Sequence, residues 1–259
     1  AVVDTGTGAH YEVILDALAE LGIAPRDLEV IALTHVHLDH AGGAGYLARE
    51  CPNADVYVHE RGARHLVDPG RLWEGTKAAI GDWVDSYAEP VPIPDERIVE
   101  LGDGDAIDLG GREFAVHDAP GHAPHQAVFA DPASDCVFVA DAAGLYVEGF
   151  DVPRPTTPPA NFDLETCLAD VEMLQGLDPA GLCFPHCGAT ATDDLLAEVS
   201  VVLEEWVAEV EAAREAVGDD AAAIVDRLEP WPDAEAVWGE RHVRETQSLS
   251  VRGVLQSLG

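Results

Sequence analysis

Three histidines and an aspartate fall within six residues, His35-Val36-His37-Leu38-Asp39-His40, directly after the apolar run Val30-Ile31-Ala32-Leu33. In extended backbone, side chains two residues apart point the same way, so a strand that delivers this segment lets His35 and His37 reach one ion together. Asp39 and His40 come after the chain turns, where they can serve a second ion nearby. Packing is a poor account of such a cluster, because polar groups buried without partners cost free energy. The chain must build a scaffold that ends a buried strand at this point.

Further ligand-type residues stand at comparable places. Phe114-Ala115-Val116 runs on to Pro120-Gly121-His122, Val137-Phe138-Val139-Ala140 ends at Asp141, and Leu182-Cys183-Phe184-Pro185 ends at His186. Each is an apolar strand that releases one metal-type ligand at its exit, and four such exits are expected to converge on one rim of a sheet sandwich.

The rest of the chain fits that architecture. Apolar residues repeat at three and four over 11–21 before Gly22, which reads as a helix with a glycine cap. Helical character returns over 41–50, 60–89, 163–176, 192–217, 221–228 and 246–258. Within 60–89, Trp73, Ile80, Trp83, Val84 and Tyr87 form an apolar stripe that reads as core or as a pocket wall. Residues 55–59, 97–101, 105–109, 113–117, 127–130 and 136–140 read as strands, and Asp103-Gly104 and Gly110-Gly111 as hairpin turns. Ala1 to Gly6 looks like the end of a buried strand. The segment 149–161, with Pro153, Pro155, Pro158 and Pro159, is a stiff irregular loop placed to shape a substrate mouth. Strands flanked by helices, with hairpins mixed in, predict the α/β class: an αββα sandwich of two mixed sheets flanked by helices. We assign residues 1–200 to that domain and 201–259 to a helical C-terminal extension packed on it.

Composition narrows the partners. The 259 residues carry 49 acidic and 14 basic side chains, a formal charge of −35, and Lys77 is the one lysine. Such a surface repels phosphate backbones and anionic lipid heads, which argues against nucleic-acid and membrane partners. At molar salt the Debye length falls to about 3 Å and the self-repulsion becomes tolerable, so the charge predicts a cytoplasmic protein of a salt-accumulating organism. Cys51, Cys136, Cys167, Cys183 and Cys187 form no CxxC pair and read as free thiols of a reducing compartment. Cys183 and Cys187, although close to His186, read as small buried residues rather than thiolate ligands.

With these motifs in view, the sequence resembles the metallo-β-lactamase fold superfamily, and most of all its glyoxalase II-like branch, from Asp4-Thr5-Gly6 through His186. The resemblance implies one metal site of His35, His37 and His122 and a second of Asp39, His40 and His186, with Asp141 bridging both ions. Asp4 would orient ligands from behind. The family normally has a strand pair before the Asp-Thr-Gly turn, so N-terminal strands are expected to be missing here. Antibiotic-degrading members usually carry cysteine where Asp141 stands and lack a histidine at the position of His40, which argues against lactamase activity.

The expected function is hydrolysis of an ester, thioester or lactone of a small-molecule substrate by a hydroxide that bridges two divalent ions. Coordination lowers the pKa of water from 15.7 toward roughly 7. Asp39 would hold the nucleophile and move its proton to the leaving group. The nitrogen and oxygen donor set suits zinc first, with iron or manganese as alternatives. Two rivals stay open: a single-iron sulfur dioxygenase, and a phosphodiesterase or RNA-processing nuclease on the same fold. Tyr146 is a candidate substrate contact, and His125 a candidate pocket or supporting residue. His10, His59, His65, His117 and His242 read as structural. A homodimer is compatible with everything above.

Overall fold

The computed structural model describes every residue except Asp151, Cys187 and Asp193. The chain divides into two units, residues 1–118 with 125–134, and residues 119–124 with 135–259.

In chain order the first unit contains β1 (Val2–Val3), α1 (Tyr11–Glu20), β2 (Val30–Ala32), α2 (Leu38–Ala41), α3 (Ala44–Glu50), β3 (Asp55–His59), α4 (Glu60–Val67), α5 (Gly70–Ile80), β4 (Ile98–Leu101), β5 (Ala106–Asp108), β6 (Glu113–Asp118) and β7 (Ala127–Asp131). β1 to β4 form a parallel sheet in sequence order. β2 is a continuous apolar run buried at every position, as expected of a parallel strand covered on both faces, whereas β3 buries Val56 and Val58 and leaves Asp55 and Tyr57 half-buried. β5, β6 and β7 form an antiparallel meander.

The sequence reading needs four corrections in this unit. The helix expected over 60–89 is broken into α4, α5 and a 3-10 turn at Gly81–Ser86. Pro69 cannot continue α4, and Gly81 takes a φ of 58° that ends α5. Trp73 and Trp83 are half-buried rather than core. Asp103-Gly104 turns the chain but joins no hairpin, because β4 pairs with β3 while β5 pairs with β6. β1 is half-buried, since it lies at the sheet edge.

The turn after β1 is packed against the glycines that follow α2. A Cβ at Gly43 would lie 2.4 Å from the Thr5 carbonyl oxygen, and one at Gly42 2.7 Å from that of Thr7. Thr5 N–H and Oγ1 both donate to the His40 carbonyl, at 2.6 and 2.8 Å. Asp4 takes a left-handed φ of 57° to enter this turn, a conformation that Asp tolerates better than most residues.

The second unit contains β8 (Cys136–Phe138), α6 (Leu164–Leu177), β9 (Gly181–Phe184), β10 (Gly188–Ala191), α7 (Leu195–Val217), α8 (Ala221–Val225), α9 (Pro232–Trp238) and α10 (Glu240–Ser257). β8 pairs parallel with β9, and β9 antiparallel with β10. α9 and the early start of α10 escaped the sequence reading, because Pro230 and Pro232 mask a helix whose first turn accepts proline. Asp163 caps α6, its Oδ1 accepting the Thr166 N–H at 2.8 Å. Cys51 and Cys167 are buried, Cys136 and Cys183 are half-buried, and Cys187 lies outside the described residues. No helix among the described residues is long and apolar enough to cross a membrane.

Candidate metal centre

In the first unit, β2 ends at Ala32 and the next residues reach the buried Thr34 and His35. Asp4 accepts hydrogen bonds at both oxygens of its carboxylate. Its Oδ1 takes the Thr34 N–H at 2.8 Å, and Thr34 Oγ1 lies 2.8 Å from its Oδ2. The single hydroxyl proton of Thr34 therefore points to Asp4. His35 Nδ1, 3.2 Å from the same hydroxyl oxygen, donates to it. That leaves the Nε2 lone pair of His35 facing His37 Nδ1 at 3.0 Å.

The same logic fixes His40. Its Nδ1 donates to Asp4 Oδ2 at 3.0 Å, and its Nε2 lies 3.6 Å from Asp39 Oδ2. Asp4 thus orients both histidines, one directly and one through Thr34. The single turn of α2 places Asp39 and His40 side by side, with Asp39 the more exposed at 36% of its side chain.

In the second unit, Gly121 is held on both sides. Its N–H donates to the buried Asp170 at 2.7 Å, and its carbonyl accepts the Asp163 N–H at 3.2 Å. A Cβ there would lie 2.4 Å from the Cys167 nitrogen. The following His122 sets Nδ1 3.3 Å from the Thr156 carbonyl and Nε2 3.3 Å from Asp141 Oδ2. His186 Nε2 lies 3.6 Å from the other oxygen, Oδ1. Asp141 follows Ala140, which holds a left-handed φ of 49°, a strained state for alanine that is often retained where a side chain must be aimed.

The donor set fits metal ions on its own geometry. Two donors bound to one zinc at 2.0–2.2 Å in tetrahedral arrangement lie about 3.3 to 3.6 Å apart. Within the first unit Asp39/His40 stand at 3.6 Å, inside that span, and His35/His37 at 3.0 Å, slightly closer than it. Within the second, His122 and His186 approach different oxygens of one carboxylate at 3.3 and 3.6 Å. Each unit therefore presents two donor pairs.

The remaining candidates fall as follows. His125 packs against both His35 and His37, with ring centroids 6.1 and 5.6 Å apart, and its Nδ1 faces the Val36 N–H at 3.5 Å. His65 lies beyond it, and burial, then Arg64 and Arg71, hold its pKa below the ordinary value. His59 caps α4 through Nδ1 and faces Asp118 at 3.3 Å, a structural role. Tyr146 is half-buried against Phe184, with ring centroids 5.2 Å apart. Burial raises the pKa of Tyr87, with Asp39 adding to it. Sequence reasoning missed Thr34, Thr156 and Asp170, since a threonine, a carbonyl and a remote helical aspartate carry no pattern of their own.

The sequence model described as the Metallo-beta-lactamase superfamily matches residues 1–186. The chain belongs to this superfamily. Its fold is the metallo-β-lactamase fold, with two sheets flanked by helices. The metallo-β-lactamase fold-containing protein ST1585 of Sulfurisphaera tokodaii is 29% identical over 197 residues, covering 73% of each chain. The crystal structure of ST1585 aligns with a TM-score of 0.67 at 25% identity, over 89% of this chain and 81% of that one. The human acyl-coenzyme A thioesterase MBLAC2 is 29% identical over 160 residues, and the chain spans about half its length, 53%, with 54% of this chain covered. A second solved structure, that of TTHA1623 in a di-iron-bound form, aligns at 29% identity and a TM-score of 0.52, over 73% of this chain and 82% of that one.

Proposed function

We propose that the chain is a binuclear metal-dependent hydrolase of the glyoxalase II-like branch, acting on an ester, thioester or lactone. His35, His37 and His122 would hold one ion, Asp39, His40 and His186 the other, and Asp141 would contact both. The observation that carries this reading is Asp141, which offers one oxygen to His122 and the other to His186. A carboxylate shared in this way is what a two-ion site requires, whereas a one-ion site has no use for the second pair. The thioesterase relative favours a thioester among the candidate substrates.

Bound divalent ions would supply a nucleophile from water at neutral pH and polarise the substrate carbonyl. The protein's own part is positioning and proton transfer. Asp4 and Thr34 keep His35 and His40 as Nδ1–H tautomers, so each presents Nε2. Asp39, at the exposed end of the cluster, accepts a proton at its carboxylate and passes it to the leaving group. Tyr146 would contact a substrate oxygen, and the small-molecule partner would enter near the segment 152–160.

The test is metal analysis of protein purified in high salt, followed by a panel of acyl thioesters, lactones and phosphodiesters. Two ions per chain with thioester or lactone turnover is the expected result. One iron per chain with oxygen uptake would replace the reading with a dioxygenase, and turnover of phosphodiesters alone would replace it with a nuclease.

A further inference from the structure

The carbonyl that meets His122 belongs to a segment gripped by helices far along the chain. Thr156 precedes Thr157, which is fully buried. Thr157 Oγ1 donates to the Ser250 carbonyl of α10 at 2.9 Å and accepts the Trp206 indole N–H of α7 at 3.1 Å. Thr157 N–H reaches Ser250 Oγ at 3.4 Å. One turn further along α10, a Cβ at Gly253 would lie 1.8 Å from the Thr157 carbonyl oxygen and 2.6 Å from the Pro158 carbonyl carbon. Glycine inside a helix is unfavourable relative to alanine, and this close approach accounts for it. Upstream, Leu145 and Arg154 exchange both backbone hydrogen bonds at 2.8 Å, anchoring the other end of the segment.

These contacts hold the residue that follows the carbonyl facing His122. A carbonyl oxygen only accepts, so the Thr156 oxygen selects the Nδ1–H form of His122 and turns Nε2 toward Asp141. We infer that Thr157, clamped by Trp206, Ser250 and Gly253, is a positioning residue that fixes the Thr156 carbonyl and through it the tautomer and aim of His122. This rests on the reading of His122 as a metal ligand. The C-terminal helices thereby set the affinity of the ion that His122 holds. Partners behind a ligating histidine typically govern its metal affinity by ten- to a hundredfold.

The experiment compares the full chain with Thr157→Val, which keeps the shape and loses the hydroxyl, and Thr157→Ser, which keeps the hydroxyl. Zinc-loaded protein is titrated with a chromophoric chelator, and the ring nitrogens of His122 are observed by nitrogen NMR in metal-free protein. Thr157→Val is expected to weaken one ion by about ten- to a hundredfold, to leave the other at its wild-type affinity, and to mix the two His122 tautomers. Thr157→Ser is expected to restore both readouts. Should Thr157→Val fail to fold, Trp206→Phe removes one of the same hydrogen bonds and is expected to weaken the same ion. Two ions bound with unchanged affinity and an unchanged His122 tautomer in the folded variant would overturn the clamp alone. A wild-type chain that takes up no zinc would overturn the ligand reading and the clamp with it.

Discussion

Asp4 Oδ2 stands 3.0 Å from His40 Nδ1, while the other oxygen of the same carboxylate receives the Thr34 N–H. One buried side chain thus governs two histidines on either side of the turn into α2. Asp4→Ala strands the Thr34 N–H and hydroxyl, and each buried polar group left unmatched costs about 1–3 kcal/mol. We expect a loss of about 3 kcal/mol in urea unfolding and a metal affinity ten- to a hundredfold lower. Asp4→Asn, which retains one carbonyl oxygen, should fall between. Wild-type metal affinity in Asp4→Ala would remove Asp4 from the centre.

In the proposed two-ion centre Asp141 and His186 have different parts. His186→Ala deletes a donor to one of them, so chelator titration should show a single weakened step. Asp141→Ala deletes the shared carboxylate, so both steps should weaken together. If the two variants behaved alike, Asp141 would not be acting on two ions.

The His65 imidazole gives a stability profile whose sign follows from its surroundings. Burial, with Arg64 and Arg71 adding, favours its neutral form and lowers its folded pKa below the ordinary 6.5. Above that value both folded and unfolded chains carry it neutral. As pH falls below about 6.5 the unfolded chain gains a proton that the folded chain resists, so stability declines until the lowered folded pKa is passed. His65→Gln should flatten this part of the acid limb. Melting temperatures measured for both proteins from neutral pH downward test it, and parallel curves would count against it.

The charge of −35 makes a prediction about salt. Screening shortens the Debye length from about 10 Å at 0.1 M to about 3 Å at 1 M, so potassium chloride should raise the melting temperature progressively over that range. A melting temperature that does not move with potassium chloride would show that surface repulsion is not a significant cost to this fold.

The candidate ligand residues stood out in the sequence because side chains of metal-binding type leave a dense mark. His35, His37, Asp39 and His40 crowd six positions, and His122, Asp141 and His186 each follow an apolar run that forms β6, β8 or β9. The strand pattern of the core was legible too, since Ile31 sits in an uninterrupted apolar segment and Val56 and Val58 alternate with less buried neighbours. The groups that hold these candidates in place were not legible. Thr34 acts through one proton shared between Asp4 and His35, and Thr156 acts through a carbonyl that every residue possesses. The break at Pro69 and Gly81 was hidden by a helical stripe of Trp73, Trp83 and Tyr87 that tertiary packing leaves only half-buried. α9 was hidden by prolines that helices accept in their first turn.

The tight crossing of Gly253 over Thr157 has a practical corollary for anyone trimming this protein. The matched family region stops at residue 186, and a shortened gene ending there would omit Trp206, Ser250 and Gly253. Such a fragment would keep all seven proposed donors yet lose the grip on Thr157, and engineering of the terminal helix would alter zinc retention without touching a single donor.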